Sequence, residues 1–112
     1  MSGDIVFFDL PGKDSAATAK FWESLFGWKF KEGNFPGYSM IHGPTPMGGS
    51  AHGDTSKFPR VYFGVDDLNG AIERVRELGG TAGEPVTIPA GRFANCVDDQ
   101  GVEFSIFQAA AE

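Results

Sequence analysis

Residues 60–80 read RVYFGVDDLNGAIERVRELGG: a β-branched and aromatic run, an acidic pair, an amphipathic stretch and two glycines. That order predicts a strand, a cap, a helix and a stop. Leu68, Ala71, Ile72, Val75 and Leu78 recur at helical spacing, while Glu73, Arg74, Arg76 and Glu77 occupy the rest of the surface, so a helix is expected over 67–78. Asp67 can accept from the first unpaired N–H groups, and Gly79-Gly80 can end the helix. Residues 5–27, IVFFDLPGKDSAATAKFWESLFG, repeat the pattern. Here a helix is expected over 15–26, capped by Asp14 or Ser15, with Ala17, Phe21 and Leu25 as its buried stripe and Gly27 as its stop. Trp22 and Trp28 flank Gly27 and are expected to anchor this helix to its sheet.

The two stretches superpose. Val6-Phe7-Phe8 falls on Val61-Tyr62-Phe63, and a two-residue shift in the connecting loop then sets Asp14 on Asp67 and Trp22 on Val75. Three further strand candidates follow each helix, at 28–31, 38–42 and 47–52, then at 84–88, 92–97 and 102–108. Pro36-Gly37, Pro44 and the segment 99–101 punctuate them as turns. The chain therefore reads as an α+β fold of two β-α-β-β-β modules, about 1–54 and 57–112, in a single domain covering 1–112.

Composition narrows the partners. Among 112 residues, fifteen acidic side chains against nine basic give a formal charge of −6, which opposes a phosphate backbone, and no window clusters Lys and Arg. Neither nucleic acid nor a membrane is expected as a partner. No apolar run approaches a membrane span and the N-terminus lacks a positive region before an apolar core, so a cytoplasmic location is expected. The single Cys96 lies between apolar neighbours and reads as a small buried hydrophobe. The segment 43–57, GPTPMGGSAHGDTSK, lacks the Gly-Lys-Ser/Thr order of a phosphate loop, and GYSMI lacks the second glycine of a nucleophile elbow.

Strand alternation sorts the side chains into two faces. Val6, Phe8, Leu10, Val61, Phe63, Val65, Phe104 and Ile106 share one face, wholly apolar, which suits contact with the helices. The opposite face carries Phe7 and Asp9, Arg60 and Tyr62, and Glu103, Ser105 and Phe107. Rings with a few polar groups suit a small organic ligand, the rings giving contact area and the polar groups orientation. These seven residues are the expected ligand-binding set. The competing expectation is that the same rings fill a closed cavity or cover a dimer contact.

Two β-α-β-β-β modules, a helix ending FWESLFGW, a second opening YFGVDDLNGAIERVRELGG and a final hairpin DDQGVEFSIFQ together resemble the vicinal oxygen chelate superfamily. Glyoxalase I, extradiol dioxygenases and bleomycin-resistance proteins belong to it. The resemblance implies a curved mixed sheet with a cup-shaped cleft, helices on its outer face, a ligand held in the cup, and a homodimer. Its metal enzymes hold a divalent ion with four side chains, and those positions carry over to Phe7, to Arg60 or Tyr62, to Gly49 or Ser50, and to Ser105. None of these is a carboxylate, imidazole or thiolate. The expected function is therefore a metal-independent protein that binds a small aromatic or amphipathic molecule, with no cofactor and no catalytic residue. The alternative is a divalent-metal glyoxalase- or dioxygenase-like enzyme, a lyase or oxidoreductase, whose displaced metal site would need His52 with Asp9 and Glu103. His42 and His52 otherwise read as solvated strand-end residues.

Overall fold

The computed structural model describes residues 3–33 and 35–111. The architecture is α+β, with two helices and nine strands of curved mixed sheet among the described residues. The chain divides into two compact units, one of residues 7–60 and the other of the residues up to Val6 together with those from Val61 onward. The boundary falls within the first strand, because backbone bonds from Gly3 N–H to Gly64 O and from Gly64 N–H to Asp4 O tie the opening residues to the second unit.

In the 7–60 unit, β1 (Ile5–Asp9) leads into α1 (Ser15–Phe26), followed by β2 (Lys29–Glu32), β3 (Tyr38–His42) and β4 (Gly48–Ala51). The strands lie in the order β2-β3-β4-β1, antiparallel except for the parallel pair β1 and β4. Asp14 caps α1 by accepting from Ala16 and Ala17 N–H, and Gly27 ends it in the left-handed conformation that glycine adopts without a Cβ penalty.

The expected buried stripe of α1 is corrected by the structure. Ala17, Phe21 and Leu25 face outward, with Phe21 60 % and Leu25 54 % exposed, and no residue of the helix is fully buried. The helix instead turns Ser15, Thr18, Ala19, Trp22 and Glu23 inward, a second series at helical spacing. Trp22 selects that face, as it stacks on Trp28 at 5.5 Å and 10°, and Trp28 in turn meets Phe8 of β1 at 6.1 Å. The two tryptophans do anchor the helix to its sheet.

β5 (Arg60–Gly64) starts on the last residue of the 7–60 unit and otherwise belongs to the other, where it leads into α2 (Leu68–Glu77), then β6 (Thr81–Ala82), β7 (Val86–Ile88), β8 (Gly91–Val97) and β9 (Glu103–Ala109). β5 runs parallel to β9, β9 antiparallel to β8, and both β6 and β7 pair with β8. The strand expected over 84–88 is confined to 86–88, after Pro85, which has no N–H to give to a ladder, and β6 over 81–82 is a short strand that was not expected. Leu68 and Ile72 of α2 pack with Ala94, Cys96 and Ile106, and Val65, Ala71, Val75, Ala82 and Phe104 complete the cluster. Asp67 caps α2 through Gly70 N–H, and the side-chain oxygen of Gln108 accepts from Leu68 N–H at 2.7 Å, clipping the helix start to β9. Cys96 is 2 % exposed, as its apolar neighbours predict. The β8–β9 hairpin closes on Asp98, whose carboxylate accepts from Gln100 and Val102 N–H, with Gly101 at φ 90°.

Candidate functional site

The face opposite α1 in the 7–60 unit is built from alternate residues of β1, β3 and β4. Phe7 and Asp9 alternate away from Phe8, and Asp9 pairs in register with Gly49. Gly48 lies on the other side, where an added Cβ would strike the ring of Phe8. The choice between Gly49 and Ser50 is thereby resolved: Gly49 shares the face of Asp9, whereas Ser50 points the opposite way, is 2 % exposed and leaves its hydroxyl without a partner. A side chain absent from the sequence argument fills the space above Gly49. Tyr38 reaches across it from β3, and an added Cβ at Gly49 would run into the Tyr38 hydroxyl and come within 3.0 Å of Phe7 Cζ. The phenol ends by donating to Asp9 Oδ1 at 2.7 Å.

The corresponding face of the second unit is built from β5, β8 and β9. Tyr62 pairs in register with Ser105, so Tyr62 rather than Arg60 stands beside the serine, and Arg60 follows two residues earlier on the same side of β5. Glu103, Ser105 and Phe107 share one side of β9, and β8 adds Asn95 opposite Ser105 and Phe93 opposite Phe107. Tyr62 meets Phe93 edge to face at 5.8 Å. Ser105 is fully buried, and its hydroxyl donates to Asn95 Oδ1 at 2.7 Å. Glu103 is exposed at the strand start, and Phe107 is half-buried.

Each unit therefore brings its share of the expected residues onto one side of its own sheet. Tyr38, Phe93 and Asn95 join them, and the sequence argument missed all three. Alternation along β3 and β8 could have supplied them, since both strands were expected at nearly the observed positions. What it could not supply was the pairing that sets Tyr38 over Gly49 and Asn95 against Ser105.

His52 is exposed and accepts the Ser15 N–H through Nδ1 at 3.1 Å, with the Ser15 hydroxyl 3.0 Å from the same nitrogen. That ring joins the strand-end loop to the start of α1. The ring is exposed at the strand end, where a solvated residue was expected; the alternative made it a displaced ligand beside Asp9 and Glu103. Among the described residues, no group of three or more His, Cys, Asp and Glu side chains could hold a metal ion. The four carried-over positions, Phe7, Gly49, Tyr62 and Ser105, offer a phenyl ring, no side chain, a phenol and a buried hydroxyl already given to an amide. These donors do not fit a divalent ion, which requires deprotonated or lone-pair ligands of stronger basicity.

The description of the glyoxalase-like domain matches residues 5–107, nearly the whole chain. The chain belongs to the glyoxalase-like domain family. It lies within the vicinal oxygen chelate superfamily that its strand and helix pattern resembles. A glyoxylase-like domain-containing protein of Didymella fabae is 31 % identical over 93 residues, which cover 71 % of each chain. The anthracycline biosynthesis protein DnrV of Streptomyces peucetius is 29 % identical over 133 residues, 95 % of this chain and 47 % of its own length. CFP32 of Mycobacterium tuberculosis is 27 % identical over 114 residues, 90 % of this chain and 44 % of its own. The chain thus spans less than half the length of these two relatives. Among solved structures, BH1468 from Bacillus halodurans superposes with a TM-score of 0.75 at 12 % identity, covering 100 % and 98 % of the two chains. A Streptomyces coelicolor methylmalonyl-CoA epimerase bound to 2-nitronate-propionyl-CoA gives 0.69 at 15 % identity, covering 99 % and 100 %. At such identities, these two structures show the fold of the glyoxalase-like family and nothing finer.

Proposed function

We propose that this glyoxalase-like chain is a metal-independent binding protein that holds a small aromatic or amphipathic molecule against its ring-lined sheet faces. One observation carries the reading. Two of the positions that the resemblance assigns to metal ligands are covered or engaged by neighbouring side chains, with Tyr38 passing over Gly49 to Asp9 and Ser105 bonded to Asn95. Such pairs suit an organic ligand better than an ion, because they present hydrogen-bonding edges beside apolar rings. In this reading Phe7 gives contact area and Asp9 a polar edge on the face of the 7–60 unit; on the face of the other unit Tyr62 and Phe107 give contact area, Glu103 a polar edge, and Ser105 acts by holding Asn95, while Arg60 orients an anionic or carbonyl group. The naming of DnrV for anthracycline biosynthesis is consistent with a planar polycyclic ligand. We further propose a cytoplasmic homodimer, which would cover sheet edges and exposed rings. No helix among the described residues is long and apolar enough to cross a membrane.

The test combines elemental analysis with titration. Protein purified without chelator should carry no stoichiometric divalent metal, and should bind the fluorescent probe 8-anilinonaphthalene-1-sulfonate equally well with and without added zinc. Replacing Phe7, Tyr62 or Phe107 by alanine should weaken the probe about tenfold, the order expected for one lost aromatic contact. One tightly held metal ion per chain, or probe affinity indifferent to all three substitutions, would falsify the reading.

A further inference from the structure

We infer that Tyr38 determines ligand specificity on the Phe7 and Asp9 face, selecting a planar aromatic molecule that carries a hydroxyl group at its edge. The inference rests on the binding function proposed above and narrows its ligand class. It begins with the absence of a side chain at Gly49. In the β3–β4 register Gly49 faces Met40, while Tyr38 faces Ala51, so Tyr38 must lean diagonally along the strands to pass over Gly49. Any residue larger than glycine would displace it, because an added Cβ would collide with both the hydroxyl and Cζ of its ring. Gly49 therefore admits the phenol to this face, and Asp9 determines where its hydroxyl stops, at 2.7 Å.

The direction of that hydrogen bond decides the chemistry. A neutral phenol has one proton, and here it is given to a carboxylate oxygen, a short charge-assisted bond. Toward a ligand, the Tyr38 oxygen then acts as an acceptor, and polarisation by Asp9 makes it a better one. An acceptor calls for an O–H or N–H donor. Phe7 stands beside Gly49 and supplies an apolar ring next to the same point, so a planar molecule lying on that ring would bring an edge hydroxyl toward the Tyr38 oxygen. Asp9 is the positioning residue in this arrangement, since it acts through Tyr38 by holding its proton. A site that offers an acceptor to a hydroxyl discriminates against a molecule of the same shape that lacks one, because that molecule displaces water from the acceptor without replacing its hydrogen bond.

Three probes of one shape test the inference: 2-naphthol, which donates and accepts; 2-methoxynaphthalene, which only accepts; and naphthalene, which does neither. Affinities are measured by equilibrium dialysis on the wild type and on Tyr38→Phe, Asp9→Ala and Phe7→Ala, with thermal melts confirming that each variant is folded. The wild type should prefer 2-naphthol to 2-methoxynaphthalene by about tenfold, the scale of one good hydrogen bond. Tyr38→Phe should abolish that preference while leaving naphthalene unchanged. Asp9→Ala releases the phenolic proton, so 2-methoxynaphthalene should gain on 2-naphthol, a change of ratio that general loosening of the fold would not produce. Phe7→Ala should weaken all three probes alike. Equal binding of the three probes in both wild type and Tyr38→Phe overturns the inference and leaves aromatic binding intact. Absence of binding by all three overturns the inference together with the function on which it rests.

Discussion

Both units run from a strand through a helix to further strands, three in one and four in the other, and they hold their helices by different means. α2 is fastened by aliphatic burial, with Leu68 fully buried and Ile72 5 % exposed against Ala94, Cys96 and Ile106. α1 buries no residue completely and is held by a chain of rings, Phe26 and Trp22 on the helix, Trp28 just beyond it and Phe8 on the sheet. The difference shows that one strand-helix-strand pattern can be satisfied by filling a closed core or by stacking large half-exposed surfaces. Stacking tolerates solvent at the ring edges, whereas an aliphatic cluster gains from exclusion of water. The sheet faces opposite the helices differ in the same way. One carries a half-buried phenol and carboxylate, the other a fully buried hydroxyl locked to an amide.

If the contrast is sound, Leu68→Ala should give the largest loss of stability, about 3–4 kcal/mol, because a fully buried leucine leaves a cavity that α2 cannot close. Urea unfolding would measure it, and a loss below about 1 kcal/mol would mean that α2 is not held by its aliphatic stripe. Trp28→Ala should follow at roughly 2–3 kcal/mol, less than a closed-core tryptophan because the ring is only half-buried. The same substitution should change the near-ultraviolet circular dichroism, since it removes the 10° stack on Trp22.

A smaller effect concerns the hairpin that joins β8 and β9. Backbone N–H groups of Val102 and then Gln100 hold the Asp98 carboxyl below its ordinary value, against an opposing effect of desolvation and with a smaller contribution from Gly101. A depressed folded-state value means that this carboxylate supports the turn above the unfolded value of about 3.9 and that the support fades as pH falls through the lower folded value. The stability gap between wild type and Asp98→Asn should therefore be present at neutral pH and shrink on acidification below about pH 4. A gap that stays constant would assign the turn to its backbone bonds alone.

Phe21→Ala should be the mildest change, within about 0.5 kcal/mol, because its ring lies on the outward side of α1. A loss comparable to that of Trp28→Ala would restore the stripe that periodicity first suggested. Two helical series compete in SAATAKFWESLF, one through Ala17, Phe21 and Leu25 and one through Ser15, Thr18, Ala19 and Trp22, and both have the right spacing. Periodicity could not rank them, as the choice depends on which rings meet Trp28 and Phe8.

The two strand-helix-strand repeats, the cap Asp67, Asp14 as one of two candidates for the other cap, the helix spans and the membership of the superfamily were legible in the residues alone. These features rest on local physics: which side chains can cap a helix, how apolar positions recur, and where glycine lets the chain turn. Alternation also placed Phe7 with Asp9 and Ser105 with Phe107, since a strand leaves only two sides to choose between. Tertiary structure decided what lies between strands. The reach of Tyr38 over Gly49, the pairing of Ser105 with Asn95, and the bond that draws His52 to Ser15 join residues 10 to 37 positions apart. Such contacts follow from strand register and chain reversal, which depend on the packing of the whole sheet and leave no period in the sequence.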